Sequence, residues 1–364
     1  MHFLQRLLPI LHNDNMQNIP KKLILNNALP PNDTYTEQPN AFKSPAQLIN
    51  ELKIPNLSKI LKLSEQSFRQ TIVHDALNTP DEIATARALG WGNQDGELPF
   101  AQLKALELGL ITSTELKGGS WAFITLCSWH VQHGQVTFSA DAQDLGLDHD
   151  ASEQVLNDIK PYFDEDSIHI FTHPELPPGQ WLAYSDHFND LACASLKRVS
   201  GRVIDDFLIG TGKSANHKSE RLLRRLQNEM QMLLYQHSIN DKRSVLINSF
   251  WISGTGALDL LDKDFQHTLD LYRNIKIVDI FKENIKFLSP DHPEWFKTWS
   301  SGWQHIDATY LKELLGAYAE LIEGTEISLC NDTSCITLTP VEQSWSRKLK
   351  SLFSSSKISQ LLSL

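Results

Sequence analysis

Apolar residues recur at three-to-four spacing through "SERLLRRLQNEMQMLLYQH", where Leu222, Leu226, Met230 and Leu233 form a stripe and Arg221, Arg224 and Arg225 line the polar side. That period predicts an amphipathic helix, with the methionines as core filling. The pattern then changes to the unbroken branched and aromatic run "SVLINSFWI", which predicts a buried strand. Gly254-Thr255-Gly256 is expected to turn the chain directly into a further helix over "ALDLLDKDF". Helix, strand, glycine turn and helix imply an α/β class.

Upstream, "KGGSWAFITLCSWHVQHGQVTF" has two apolar runs joined through "QHG" and predicts a β-hairpin. Asp150, with Glu153 three positions on, reads as the N-cap of a helix over "DASEQVLNDIKPYF". The short strands "SIHIFTH" and "QWLAYS" complete a compact α+β unit at 118–186. Pro80 precedes a capped helix over Asp81–Leu89. Residues 13–45, rich in Asn, Pro and Thr, read as an extended surface segment rather than a core element. Cys330 and Cys335 bracket "NDTS" as a hairpin turn.

Composition narrows the function classes. With 364 residues the chain is expected to hold two or three domains, or one large domain with an insertion. A net charge of -11 argues against nonspecific nucleic-acid binding, which needs a basic surface. The four cysteines form no CxxC motif, so they read as structural thiols rather than a zinc knuckle or redox dithiol. "MHFLQRLLPILHNDN" is too short and too weakly patterned for a membrane span or a secretion signal, and no other run reaches that length. The cytoplasm is the expected address. The basic, Ser-rich tail at 341–364 reads either as a mobile segment or as a docking segment for a protein partner.

Tyr235–Ala257 concentrates the candidate chemistry: His237, Asn240, Arg243, Asn248, Gly254 and Gly256. Read functionally, it is a corner for a phosphorylated small acid. Arg243 would supply a bidentate charge and the glycines free amides near a helix start. Read structurally, Arg243 is an ion pair, Asn248 and Trp251 are packing, and the glycines make a tight turn. Both readings stand at this point. Metal candidates are scattered: Asp291, His292, His305 and Asp307 on polar segments, and His130 and His133 on opposite faces of a strand. They are read as surface or capping residues, and neither metal nor organic cofactor is expected.

The same corner resembles a motif of the archaeal-type cofactor-independent phosphoglycerate mutases, with His237, Asn240, Arg243, Asn248, Trp251, Gly254 and Gly256 in the family's order. "IPNLSKIL" resembles a signature of the alkaline phosphatase superfamily, and the hairpin-helix region resembles the mutases' inserted domain. "LLRRLQNEMQMLLYQHSIND" and "NSFWISGTGAL" are similar to a bacterial branch annotated variously as mutase and as Rpf-type regulatory protein. The resemblance implies an alkaline-phosphatase-like α/β core interrupted by a small α+β domain. The expected bounds are 1–117 and 187–340 for the core, 118–186 for the insertion and 341–364 for the tail. The family's two-metal chemistry needs an Asp at the end of an N-terminal strand in a "PDGxxD"-like loop, which residues 1–20 lack. Gln180 and Trp181 stand where the inserted domain's Arg and His would be. The expected function is therefore a mutase-like protein with a degenerate metal site and a noncatalytic ligand-binding or regulatory role. The alternative is an active metal-dependent mutase or phosphatase with rearranged site residues.

Overall fold

Leu23, Ile24 and Leu25 form a short apolar run between lysines and asparagines. They make β1 (Lys22–Asn26), in which all three side chains are buried. This corrects the expectation of a surface segment: the turn-forming residues flank the strand and do not dissolve it. The structure, a computed structural model, describes residues 21–29, 52–92, 94–111, 119–132, 134–258, 262–281 and 293–342. The tail at 343–364, with Asp291 and His292, lies outside them.

Along the chain follow α1 (Pro55–Leu63), β2 (Ser64–Thr71), α2 (Pro80–Ala88), α3 (Phe100–Glu107), β3 (Ser120–Gln132) and β4 (Gln135–Asp141). Next come α4 (His149–Glu165), β5 (His169–Phe171), β6 (Gln180–Ser185), α5 (His217–Tyr235) and β7 (Ser249–Ser253). The order ends with α6 (Asp262–Arg273), β8 (Ile275–Asp279), α7 (Pro293–Ile306), α8 (Lys312–Ala319), β9 (Glu326–Cys330) and β10 (Ser334–Pro340). The class is mixed α/β with two sheets. No helix among the described residues is long and apolar enough to cross a membrane.

These elements fall into two compact units. The described residues of Met1–Arg69, Asn274–Asn331 and Cys335–Leu364 form the first; those of Gln70–Arg273 and Asp332–Ser334 form the second. The second unit is therefore wider than the 118–186 read from sequence. The reason is β3, which pairs with β4 and β6 and also with β7, tying the chain around 250 into the same sheet.

The first unit carries the sheet order β2-β10-β9-β1-β8. β1 runs parallel to both β8 and β9, and β9 returns antiparallel as β10, with Cys330 opposite Cys335. Leu23, Leu25, Ile327 and Leu329 pack in one core with Trp295, Trp299, Trp303 and Tyr318. Two indoles also hold the exit of β1: Trp299 Nε1 donates to the Asn27 carbonyl at 2.8 Å and Trp303 Nε1 to that of Ala28 at 3.2 Å. α7 approaches β8 through Gly302, where a Cβ would stand 2.0 Å from the Ile280 carbonyl oxygen.

In the second unit the buried stripe of α5 is Leu223, Leu226, Met230 and Leu234. The stripe read from sequence is displaced by one residue at each end, and Leu222 and Leu233 are only partly buried. The cap of α4 is Asp148, whose Oδ1 accepts the Ala151 N–H at 2.8 Å, rather than Asp150. The capped helix after Pro80 forms as expected, with Glu82 accepting the Thr79 N–H at 2.9 Å. β7 begins at Ser249, later than expected, and α6 starts at Asp262, so no helix opens at the Gly-Thr-Gly turn. All four cysteines are buried thiols, and burial pushes that of Cys193 up to about 12, which keeps it protonated and unreactive.

The contact at Gly302 is testable. In an exposed helix, Gly→Ala gains stability through propensity. Here Gly302→Ala is expected to lose about 1–3 kcal/mol by overpacking against Ile280, read as a lower urea midpoint. An unchanged or raised midpoint would show that α7 does not approach β8 this closely.

Candidate functional site

His237 leaves α5 and turns back on α4. Its Nδ1 accepts the Ile239 N–H at 3.0 Å, so Nε2 carries the proton, 2.8 Å from Asp158 Oδ2. The ring is 7% exposed. Asn240 is buried, and its amide donates to the carbonyls of Leu234 and Ile247 and accepts the Ile247 N–H, each at 2.8 Å. Arg243 reaches across to the turn before α4: Nη1 donates to the Leu145 carbonyl at 2.7 Å and Nε to that of Ile239 at 3.2 Å. A buried polar group without such a partner is costly, so these bonds close the loop between α5 and β7.

Asn248 has a distinct task. The β3–β4 ladder shifts register between Ser128 and Trp129. There the Asn248 side chain accepts the Trp129 N–H at 2.7 Å and donates to its carbonyl at 2.8 Å. An amide side chain thus stands in for a strand partner at a bulge. Trp251 is buried and donates Nε1 to the Ala194 carbonyl at 2.8 Å.

The glycines meet backbone. The Gly254 carbonyl accepts the Ala101 N–H at 3.1 Å, and Thr255 Oγ1 lies 2.6 Å from the Leu191 carbonyl. A Cβ on Gly256, at φ +121°, would lie 2.3 Å from the Glu97 carbonyl oxygen. The turn is the site of a close chain crossing. Gln180 donates to Thr125 Oγ1 at 3.1 Å, and Trp181 lies in the core.

A second locus, missed by sequence reasoning, lies where the parallel strands of the first unit end. Ligand sites of α/β sheets are found at the carboxyl ends of such strands. β1 ends in Asn26, followed directly by Asn27, and β8 ends in Asp279, opposite Asn26. Asn27, at φ +54°, donates its side-chain amide to both Asp279 carboxylate oxygens, at 2.8 and 3.0 Å. Asp279 Oδ1 also accepts the Phe281 N–H at 2.9 Å. The signal was present in sequence: an apolar run of strand length bounded by turn formers.

Among the metal candidates, Asp307 is buried, accepting the Asn56 N–H at 3.2 Å and the Leu57 N–H at 2.8 Å. It therefore caps α1, whose own N-cap position, Ile54, has no side chain that can do so. His130 is exposed on β3. Among the described residues no group of three or more His, Cys, Asp or Glu side chains is arranged to hold a metal ion. The carboxyl of Glu82 is raised above the ordinary glutamate value by burial and by neighbouring Asp81, which Lys197 pairs at 2.8 Å.

No protein-family model matches the chain, and no curated protein or solved structure matches it either.

The corner's geometry sets expected mutant costs. Asn240→Ala strands the Ile247 N–H and two carbonyls and is expected to cost about 2–4 kcal/mol; Arg243→Ala, only half-buried, about 1–2. Urea unfolding of both variants checks the order, and equal, negligible costs would contradict the clamp.

A pH dependence follows for Glu82. Its folded pKa is raised, so its contribution to stability is full below the ordinary glutamate pKa and is lost as pH rises through the folded value. Glu82→Gln should flatten the fall of the urea midpoint across that window. An identical slope in wild type and variant would exclude Glu82 as its source.

Proposed function

We propose that the chain is a phosphoglycerate mutase-like protein of the alkaline phosphatase superfamily, with a degenerate metal site and a noncatalytic ligand-binding or regulatory role. The observation that carries this reading is the end of β1. In the resembled family an N-terminal strand delivers an aspartate to two divalent metals. Here the first described strand delivers Asn27, a neutral amide, and its N–H groups face Asp279. Hard divalent cations favour carboxylate oxygen donors. An amide donating to the neighbouring carboxylate occupies the acceptor positions that such a cation would use.

The chain order supports the same reading. Gln70–Arg273 interrupts a sheet built from β1, β2, β8, β9 and β10, as an inserted domain would. The corner residues keep the resembled family's order, yet their polar groups hold the α5–β7 loop closed. The part of the motif that outlives catalysis is its scaffolding role.

The test joins turnover to metal dependence. An enolase-coupled assay of 3- to 2-phosphoglycerate conversion, with and without Mn²⁺, is expected to show no rate above the enzyme-free control. EDTA is expected to leave the melting temperature unchanged, because a ligand bound to the native state stabilises it by mass action. Metal-dependent turnover, or a clear drop in melting temperature on chelation, would overturn the reading in favour of an active enzyme.

A further inference from the structure

The outer face of α5 borders a groove of about 830 Å³ within the second unit, a volume typical of small-ligand sites. Its chemistry is independent of the strand ends in the first unit. Arg221 and Arg224 lie one turn apart on α5 and both line it. Neither makes a hydrogen bond or ion pair among the described residues. The adjacent Arg225 is different: it binds Asp166 Oδ1 at 2.6 Å and lies 3.6 Å from Glu229. Glu220, also at the groove, is engaged by His217 at 2.9 Å.

Two unneutralised guanidiniums three residues apart on a helix repel each other. They persist on a chain whose net charge is -11, although carboxylates are plentiful. Asp205 borders the groove too, exposed, but pairs with neither arginine. The lining also has an apolar part. Leu208 lines it, and Met232, 76% exposed, stands on the same helix two turns beyond Arg224. The loop bearing Gly210, at φ +93°, crosses close to the Arg224 stem, where a Cβ on Gly210 would lie 3.5 Å from Cγ.

We propose that this groove binds a phosphate monoester with an apolar organic group, the dianion held by Arg221 and Arg224 and the organic part lying on Leu208 and Met232. A guanidinium fork matches phosphate oxygens bidentately, so two forks suit one dianion. Asn228, which also lines the groove, can donate to an ester oxygen.

Calorimetric titration of the full chain with phenyl phosphate, inorganic phosphate and phenol tests this. Phenyl phosphate should bind more tightly than inorganic phosphate, and phenol should give no heat. Arg221→Ala with Arg224→Ala should weaken phenyl phosphate by roughly tenfold or more. Met232→Ala should narrow the gap between the two phosphates, and Asp205→Asn should tighten both. Arg243→Ala, outside the groove, should leave binding unchanged. A thermal melt checks folding, with the Arg221→Gln, Arg224→Gln pair as a second variant. Absence of phenyl phosphate binding to wild type, or undiminished binding to the double variants, would overturn the proposal. Mutase turnover would overturn the noncatalytic reading above while leaving this result standing.

Discussion

The pairing of β1 is the constraint on which the first unit depends. Five residues near the start of the chain must find β8 and β9, both from its far end, and align in parallel with each. Closing such loops costs entropy before any contact rewards it. Hydrophobicity alone does not fix the register, because Leu23, Ile24 and Leu25 are all buried and a one-residue slip would still bury apolar groups. The ends supply what the middle lacks. Lys22 lies 3.6 Å from Glu326, the Glu326 N–H binds the Lys21 carbonyl, and the Ala28 N–H binds that of Cys330. With the indoles of Trp299 and Trp303 on the next two carbonyls, slippage would break polar contacts at both termini.

What could be read in sequence follows from where structure is local. The β3–β4 hairpin, α5 and the capped helix after Pro80 were legible because period and capping are set within a few residues. β1 was not, because the asparagines and prolines around it suggested turns, and only strands far downstream make it a core element. The span of the second unit was missed for the same kind of reason. β7 looked like part of a separate core, and its partner Phe123–Cys127 lies far upstream. The small errors at Asp150 and at the ends of the α5 stripe are one- or two-residue displacements, where several acidic or leucine neighbours compete for one position.

The corner shows why residue type and order are poor guides to role. Histidine, asparagine and arginine can serve a ligand or a backbone equally well. The distinction lies in how many of their donors and acceptors the protein itself occupies. Asn240 spends both donors and its acceptor on Leu234 and Ile247. Arg221, of a type as suited to anions as Arg243, is exposed and unpaired among the described residues. Nothing in the sequence ranks the second above the first.

The end of β1 carries the same lesson in electrostatic form. Two carboxylates at adjacent strand ends repel unless a cation or a shared proton lies between them. Asn27 beside Asp279 removes that repulsion and replaces it with a charge-assisted hydrogen bond at 2.8 Å. On the proposed reading, this one amide lets β1 and β8 end side by side with nothing bound. The two strand ends are held together by the chain's own hydrogen bonds, from the Asn27 amide to both oxygens of Asp279 and from the Phe281 N–H to Oδ1.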